Sequence, residues 1–550
     1  MGCGQVDAAH AQLSATLARA HSLQQRSVQV RCLTGLGLTA LARGDRDSAV
    51  QSFEAAIEGF EEQRRVLPGD DLRSAFLTDH LRPYQARLRI ALDEGQGAET
   101  LWQLDRFRAR ALHDQPDAGP VLQAAADTAT DSVIDNPALA LRERLNWLYR
   151  RLQKLHDEGA SSVALSAEMQ RTEHDLLERA RRQRLLAPSA SDGATDQGLA
   201  AGSARRFSVQ ALQSSLQPAD ALLEYGVLDD ELFACVATRD QVILFRHLAP
   251  YGQVQEAIRA LRFQIEALSA GAAALQPHMA LLTARTEQRL ARLTALIWAP
   301  LQGALANAQR LLLVPQGLLC SVPFAALPLV DSASAPSTTL GQRYQLACAP
   351  SARAAWRGLL RPPTPALRVL ALGESSRLVH AAAEARAVAA AFAQGRAWVG
   401  EQATLAVLRA HAPQADVLHL ACHAQFRSDN PRFGALHLAD SALTVEQVEG
   451  LRLRPCTVVL SACDSALADE GRGDEQVGLV RAFLLAGAAR VVASLWPVDD
   501  AVTANFMDVF YAHLVAGQAP AKALQAAQAL VRQNHPHPCF WAAFTLYGAW

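Results

Sequence analysis

Two short apolar segments, residues 416–423 and 457–463, constrain the fold of this chain more than any other feature. Each has the continuous hydrophobicity of a strand buried on both faces of a parallel sheet, and each ends on a reactive side chain, His423 or Cys463. In open α/β sheets, functional sites assemble at the carboxyl ends of the strands. The two segments therefore predict neighbouring parallel strands that bring an imidazole and a thiol to one rim.

The rest of the second half alternates between strand and helix patterns. Three consecutive strand-like runs are followed by a helical stretch at residues 252–306, and further strands are then separated by helices. This order predicts an α/β three-layer sandwich with a mostly parallel sheet. The expected strands lie at residues 221–227, 232–237, 241–245, 310–315, 367–372, 417–422, 458–462 and 491–495.

The first 185 residues have helical patterns almost throughout. One stretch matches a tetratricopeptide repeat, with Gly44-Asp45 as the turn between its two helices, whereas the next unit agrees only in part. A plain helical bundle is the alternative interpretation. The matching positions are Leu33, Leu36, Gly37, Ala40, Ala49, Phe53 and Ala56 in the first unit, and Tyr84, Gly95, Ala98 and Trp102 in the second.

Changes in composition indicate the domain boundaries. Two charged helices with apolar stripes predict a helical hairpin, and a Ser/Ala/Gly/Asp-rich stretch after it is typical of a linker. We therefore expect tetratricopeptide-like repeats at residues 1–135, the hairpin at 136–186, a flexible linker at 187–206 and the α/β domain at 207–550.

Charge and cysteine usage exclude several classes of protein. A net charge of −2 over 550 residues gives no indication of a basic surface for nucleic acid, so nucleic acid is not expected as a direct partner. The nine cysteines include no CxxC pair, so we expect neither disulfides nor a metal site, and no cofactor is indicated.

The longest apolar region is interrupted by Arg481 and Arg490, and no secretory signal is evident, so a cytoplasmic protein without membrane contact is expected. Abundant alanine and arginine with rare lysine indicate a bacterial gene of high GC content.

His423 and Cys463 together have the residue types, order and spacing of a catalytic dyad, although either one alone would be interpreted as a buried structural residue. Neutral His423 would accept the thiol proton, and the resulting imidazolium would stabilise the Cys463 thiolate. Backbone N–H groups of Ala424, Cys463 and Asp464, in the turns after the two strands, could bind the oxyanion of the tetrahedral intermediate.

A third strand, within residues 490–500, is expected to end near the same rim. Asp499 and Asp500 follow it, and they could cap the next helix or line a pocket that selects a basic substrate residue by charge. Trp496 could form a wall of that pocket or pack in the core. His419 is interpreted as a buried structural histidine.

The segments Leu-His-Leu-Ala-Cys-His423 and Val-Val-Leu-Ser-Ala-Cys463 resemble the catalytic segments of CHAT-domain proteins. These are caspase-like cysteine peptidases of clan CD, related to separase and often fused to tetratricopeptide repeats. The resemblance extends over about residues 207–550, and the other blocks that carry it are residues 313–319, 322–327, 478–487, 494–500 and 540–544.

The resemblance implies a caspase–haemoglobinase-like sandwich with His423 as base and Cys463 as nucleophile. It also makes Asp500 the better candidate for the basic pocket, because the specificity acid of separase follows a comparable Leu-Trp block. Three positions depart from the common pattern: Ala424 stands in place of Gly, Gln316 in place of Asp and Cys320 in place of His.

Two functions are compatible with these patterns. The first is a cysteine endopeptidase that cuts a protein or peptide substrate after a basic residue, with the helical repeats recruiting a substrate or regulator and activity latent until a partner binds. The second is a catalytically quiet, caspase-like signalling scaffold that acts through protein–protein interaction.

Overall fold

Two units make up the protein: residues 1–95 with 114–206, and residues 96–113 with 207–550. The computed structural model describes residues 3–65, 81–108, 137–157, 161–186, 207–269, 276–329, 338–361, 367–374, 378–425, 433–461 and 478–550. Within these ranges, no helix combines the length and the apolar character that a membrane crossing needs.

The first unit is helical wherever it is described. It comprises α1 (Cys3–Ser22), α2 (Arg26–Ala42), α3 (Arg46–Arg65), α4 (Arg82–Asp93), α6 (Pro137–Asp157) and α7 (Val163–Leu186), while α5 (Gly97–Phe107) belongs to the second unit. Helices α6 and α7 pack against each other, and the Tyr149 hydroxyl donates a hydrogen bond to Glu173 at 2.8 Å.

Helices α2 and α3 form the predicted repeat pair. A Cβ atom on Gly37 would lie 2.5 Å from the ring of the fully buried Phe53, so glycine is required for the two helices to approach this closely. Gly44 has a φ of +79°, and the N–H of Asp45 bonds to the carbonyl of Ala40, which ends α2 in the usual glycine-dependent way. The predicted helical repeats at the amino terminus are thus confirmed for this pair.

The second unit is organised around an eleven-stranded sheet with the order β3-β2-β1-β4-β5-β14-β13-β12-β8-β6-β7. Its strands run parallel except at the β3-β2-β1 edge and at β14, which is antiparallel to β13. Their bounds are β1 Asp220–Leu228, β2 Glu231–Ala237, β3 Val242–Pro250, β4 Arg310–Val314, β5 Gln345–Cys348, β6 Arg368–Gly373, β7 Gln394–Val399, β8 Val417–Ala421, β12 Thr457–Ser461, β13 Arg490–Ser494 and β14 Phe544–Gly548.

Helices cover this sheet and complete the predicted α/β sandwich. Ala381–Ala390 packs on β6, β7 and β8, and Asp500–Val515 packs against it and against Pro520–Asn534, which covers β5 and β14. In chain order the helices are α8 Val209–Ser215, α9 Tyr251–Ser269, α10 Met279–Ile297, α11 Leu340–Arg343, α12 Ala352–Leu360, α13 Ala381–Ala390, α14 Leu405–His411, α15 Val445–Glu449, α16 Leu479–Leu485, α17 Asp500–Val515, α18 Pro520–Asn534 and α19 Pro538–Trp541.

A second, three-stranded sheet lies beyond the end of β8 and was not expected from the sequence. It consists of β9 (His423–Gln425), β10 (Ala435–His437) and β11 (Ala442–Thr444), all antiparallel. The apolar run ending at His423 therefore forms two strands separated at Cys422. Because the first strand ends at Ala421, His423 leaves the large sheet and enters the small one.

A buried ion pair joins α5 to the sheet. The Arg108 guanidinium contacts the Glu224 carboxylate at 2.8 Å, and both side chains are at most 2% exposed. Arg108 also donates to Gln316 Oε1 at 2.6 Å, and the same oxygen accepts the Val227 N–H at 2.7 Å. Gln316, which stands where Asp is common in the resembled pattern, thus connects the end of β4 with β1.

Candidate functional site

The two strands that carry the predicted dyad are neighbours. β8 and β12 run parallel in a register that pairs Ala421 with Ser461, the last residue of each strand. His423 follows Ala421 by two residues, and Cys463 follows Ser461 by two residues. Cys463 and Asp464 lie outside the described residues, so the structure gives the common rim of the two strands and the position of His423.

His423 is half-buried at the start of β9 and has a second histidine as its neighbour. His437 of β10 stands directly opposite it, and the two ring centroids are 5.6 Å apart with an angle of 32° between the planes. The Nε2 atom of His437 lies 3.3 Å from Gln425 Oε1. Ala424 is buried and pairs with Leu436. Sequence reasoning missed His437, because nothing indicated a hairpin that would return the chain to His423.

His419 is fully buried beneath the rim. Its Nδ1 atom lies 2.9 Å from the Tyr511 hydroxyl, and its Nε2 atom lies 3.1 Å from Glu384 Oε1. Burial, followed by the charge of Glu384, raises the pKa of the Tyr511 hydroxyl well above its ordinary value. These contacts fit the interpretation of His419 as a structural residue.

Other thiols near the sheet are poor nucleophiles. Burial raises the pKa of Cys422, and the charge of Glu374 raises it further. Burial likewise raises the pKa of Cys456 and of Cys539 to about 12. Because the thiolate is the reactive form, these cysteines are structural. Among the described ranges, no group of three or more His, Cys, Asp or Glu residues is arranged to hold a metal ion.

A small cavity opens where β8, β12 and β13 end. Ala421, Ser461 and Ser494 contribute to its wall, as do the acidic residues Glu384 and Asp500. Its free volume is about 20 Å³, which is space for about one water molecule. Neither lysine nor arginine is among the described residues that line it.

The two adjacent acids after β13 have different surroundings. Asp499 Oδ1 accepts hydrogen bonds from the backbone N–H groups of Ala501 and Val502, each at 3.1 Å, and so caps α17. Asp500 lines the cavity, and its Oδ2 atom accepts the N–H of His380 at 2.9 Å.

Trp496 is buried away from this cavity. Its exposed fraction is 4%, and its indole N–H donates to the carbonyl of Cys539 at 2.9 Å. It is not one of the residues that line the cavity. Of the three residues proposed for a substrate pocket, the structure therefore brings only Asp500 to the cavity wall, together with Glu384, which sequence reasoning did not select.

Comparison with known proteins gives one family match and two similar curated proteins. Residues 287–549 match the model of the CHAT domain. The chain is 25% identical over 623 residues to tetratricopeptide repeat protein 28 of Mus musculus, a match that covers 96% of this chain and 25% of that protein. The chain thus spans about a quarter of the length of this curated relative.

Two solved structures align with this chain at low identity and with TM-scores below 0.5. Separase of Saccharomyces cerevisiae, in its complex with securin, matches with a TM-score of 0.47 and 10% identity, covering 98% of this chain and 48% of that chain. The Arg-specific cysteine proteinase gingipain R matches with a TM-score of 0.34 and 11% identity, covering 48% of this chain and 67% of that chain. The mostly parallel sheet with its covering helices and the CHAT match confirm the predicted fold class, an α/β sandwich that follows an all-helical region in the sequence.

Proposed function

We propose that this chain, whose residues 287–549 match the CHAT domain, is a cysteine endopeptidase with a His423–Cys463 dyad. The observation that carries the proposal is the register of β8 and β12. Ala421 and Ser461 are aligned at the carboxyl ends of these adjacent parallel strands. His423 lies two positions after Ala421, and Cys463 lies two positions after Ser461. This is the rim at which α/β sheets assemble their sites.

The proposed reaction needs only residues near this rim. Neutral His423 accepts the proton of Cys463, and the thiolate attacks the carbonyl carbon of the scissile peptide bond. Backbone N–H groups of Ala424, Cys463 and Asp464 are the candidates to bind the oxyanion. Collapse of the tetrahedral intermediate expels the amine, which takes the proton from His423, and water then hydrolyses the acyl-enzyme.

The preference for a basic residue before the cut is assigned to Asp500. This carboxylate lines the cavity between the strand ends, whereas its neighbour Asp499 is engaged as the cap of α17. A carboxylate beside the scissile bond would pair with the charge of an arginine or lysine side chain.

The helical repeats are proposed to recruit a protein substrate or regulator. Repeats of paired helices present extended surfaces that bind other proteins. The α2–α3 pair supports this role, and the name of the mouse relative describes a tetratricopeptide repeat protein.

A caspase-like scaffold without catalysis is the second candidate, and one observation favours it. The cavity that contains Asp500 has a free volume of about 20 Å³, which is too small for a lysine or arginine side chain. A peptidase with this cavity must open it before cutting, and a partner bound to the repeats could supply the required energy.

Labelling with active-site probes separates the two candidates. The full-length protein is treated with a peptide acyloxymethyl ketone that carries Arg before the warhead, with an otherwise identical Asp probe and the Cys463→Ala variant as controls. An endopeptidase is expected to be labelled by the Arg probe alone, and the variant by neither probe. Labelling of the Cys463→Ala variant would contradict the assigned nucleophile, and an unreactive Cys463 in the presence of candidate partners would favour the scaffold.

A further inference from the structure

An open cleft with a free volume of about 430 Å³ lies at the β7 edge of the large sheet. This volume is within the range of about 300–1,000 Å³ that is typical of small-molecule sites, whereas the cavity beside Asp500 has room for about one water molecule. Gln394, Arg396 and Trp398, at alternate positions of β7, line the cleft together with His411, the last residue of α14. The cleft therefore has the size of a ligand site.

The cleft is separate from the rim that carries His423. The first three residues of β6, 368–370, line the cleft, whereas the last residue of this strand, Gly373, pairs with Ala421 beside the rim. At about 3.3 Å per residue, the two ends of β6 lie roughly 16 Å apart. A ligand of the cleft does not overlap with a peptide bound near His423, so the inference goes beyond the proposed endopeptidase and does not depend on it.

The lining of the cleft carries positive charge. Two arginines line it, and neither aspartate nor glutamate is among its described lining residues. The charge of Arg368 is balanced, because its guanidinium contacts the buried carboxylate of Asp416 at 3.0 Å. Arg396 is exposed and makes no ion pair with any residue that the structure describes. The planar guanidinium of Arg396 is thus available to an anionic group.

An aromatic pair lines the same cleft. The rings of Trp398 and His411 are stacked, with centroids 4.7 Å apart and an angle of 24° between the planes. Both side chains are half-buried. The exposed amides of Gln394 and Gln414 also line the cleft, and they supply hydrogen-bond donors and acceptors. An indole beside a guanidinium is suited to a planar ring that is joined to a negative charge.

We propose that this cleft binds a nucleoside monophosphate. The phosphate contacts the guanidinium of Arg396, the base stacks against Trp398, and the amides of Gln394 and Gln414 contact the polar edge of the base. Arginine suits phosphate because two parallel N–H groups match two phosphate oxygens. A phosphate ion alone leaves most of the cleft empty, and a nucleoside alone leaves Arg396 without an anion.

The competing explanation is an ordinary groove at the sheet edge. In that case, Trp398 only covers the apolar side of β6 and β7, and Arg396 is a solvated surface charge. Such a groove binds any anion equally weakly, and a base attached to the phosphate brings no gain in affinity. The two explanations therefore differ in the affinity of a nucleotide relative to its separate parts.

Calorimetry on the full-length protein compares AMP, GMP, CMP and UMP with their nucleosides and with inorganic phosphate. One or more of the nucleotides is expected to bind about tenfold more tightly than its nucleoside and than phosphate. Arg396→Gln should weaken that nucleotide by about tenfold and leave the nucleoside unchanged, whereas Trp398→Leu should weaken both. Arg409→Gln is the matched control, because Arg409 is an exposed arginine of α14 that does not line the cleft.

Three results would overturn the proposal: no binding of the four nucleotides to the parent protein, phosphate that binds as tightly as the nucleotides, or equal losses in Arg396→Gln and Arg409→Gln. Trp398→Leu alters a half-buried side chain, so its folding is checked by circular dichroism. Should this variant fail to fold, the two arginine variants decide the outcome, since both positions are exposed.

Photolabelling tests the location of the bound nucleotide. An azido derivative of the nucleotide that binds most tightly is irradiated with the parent protein, and the modified peptides are identified by mass spectrometry. We expect adducts within residues 393–415, which contain β7 and α14, and we expect their loss in Arg396→Gln. Adducts confined to other parts of the chain would reject the cleft as the site, even where calorimetry detects binding.

Discussion

Acidic side chains are buried in two regions of the large sheet, and the groups that they contact differ between the two regions. Near the antiparallel edge, Glu224 is fully buried and contacts the buried guanidinium of Arg108. At the ends of the central parallel strands, Glu384 and Asp500 line a cavity that has no lysine or arginine among its described lining residues. The first region pairs its acid with an arginine, whereas in the second Glu384 contacts the imidazole of His419 and the half-buried Asp500 accepts the backbone N–H of His380.

A buried charge can belong to an ion pair that the fold needs, or it can belong to a pocket that binds a ligand. A buried ion pair must be matched inside the fold, because loss of one partner leaves the other without compensation. A binding pocket keeps its charge available, and the energetic cost is recovered when a cation of suitable shape enters. The contrast predicts that substitutions in the first region alter stability, whereas substitutions in the second alter recognition.

The largest effect on stability is expected for Arg108→Met. The substitution leaves the carboxylate of Glu224 buried without its guanidinium partner and should lower the free energy of unfolding by about 3–5 kcal/mol. Urea denaturation followed by tryptophan fluorescence measures this loss. The double variant Arg108→Met/Glu224→Met should recover most of it, and a single variant as stable as the parent would remove the contrast between the two regions.

At the cavity, Asp500→Asn is expected to act on recognition. Loss of the half-buried charge should slow labelling by the Arg probe by about 10²-fold, because a charge-assisted contact to the substrate is removed. The free energy of unfolding should change by less than about 1 kcal/mol. A variant that is strongly destabilised but labelled at the parental rate would assign Asp500 to the structural class instead.

The central strands could be predicted because they are buried on both faces. β8 and β12 consist of buried residues throughout, so their sequences are continuous apolar runs that need no partner to be recognised. β7, at the sheet edge, begins Gln-Gly-Arg and has exposed positions, and β5 has four residues. These strands depend on neighbours supplied by the fold, and their local sequences carry little strand signal.

The position of His423 near the end of β8 was predictable, because a strand with a strong sequence signal precedes it. The same reasoning could not select Glu384, because its helix, Ala-Ala-Ala-Glu-Ala-Arg-Ala-Val-Ala-Ala, has the pattern of an ordinary covering helix. Its position depends on the packing of α13 on β6, β7 and β8, which is a tertiary fact. His437 was missed for a related reason, since a three-residue strand brings it opposite His423.

His537, a buried histidine outside the cavity, is expected to make the stability of the fold depend on pH. His537 is fully buried, its Nδ1 accepts the N–H of Cys539 at 3.1 Å, and its Nε2 lies 2.9 Å from the Thr286 hydroxyl. Burial lowers its pKa to about 4. The unfolded chain, with an ordinary histidine pKa of about 6.5, binds the proton more tightly, so this residue lowers stability as the pH falls from about 6.5 to 4.

His537→Asn should therefore reduce the pH dependence of unfolding in this range. The comparison of urea midpoints for parent and variant at several pH values isolates the contribution of this histidine, because the carboxylates are common to both proteins. Parallel midpoint curves for the two proteins would show that the pKa of His537 is the same in the folded and unfolded states and would contradict this prediction.

The smallest effect is expected for Asp499→Ala, the direct neighbour of Asp500. Asp499 accepts two backbone N–H groups at the start of α17, so its loss should lower the free energy of unfolding by about 1 kcal/mol. The ratio of Arg to Lys probe labelling should stay unchanged, since this side chain faces its own helix and not the cavity. Asp499→Ser, which keeps a capping oxygen, should restore most of the stability. A loss of Arg preference in both Asp499 variants would mean that the charge at the helix start, and not the cavity position of Asp500, controls recognition.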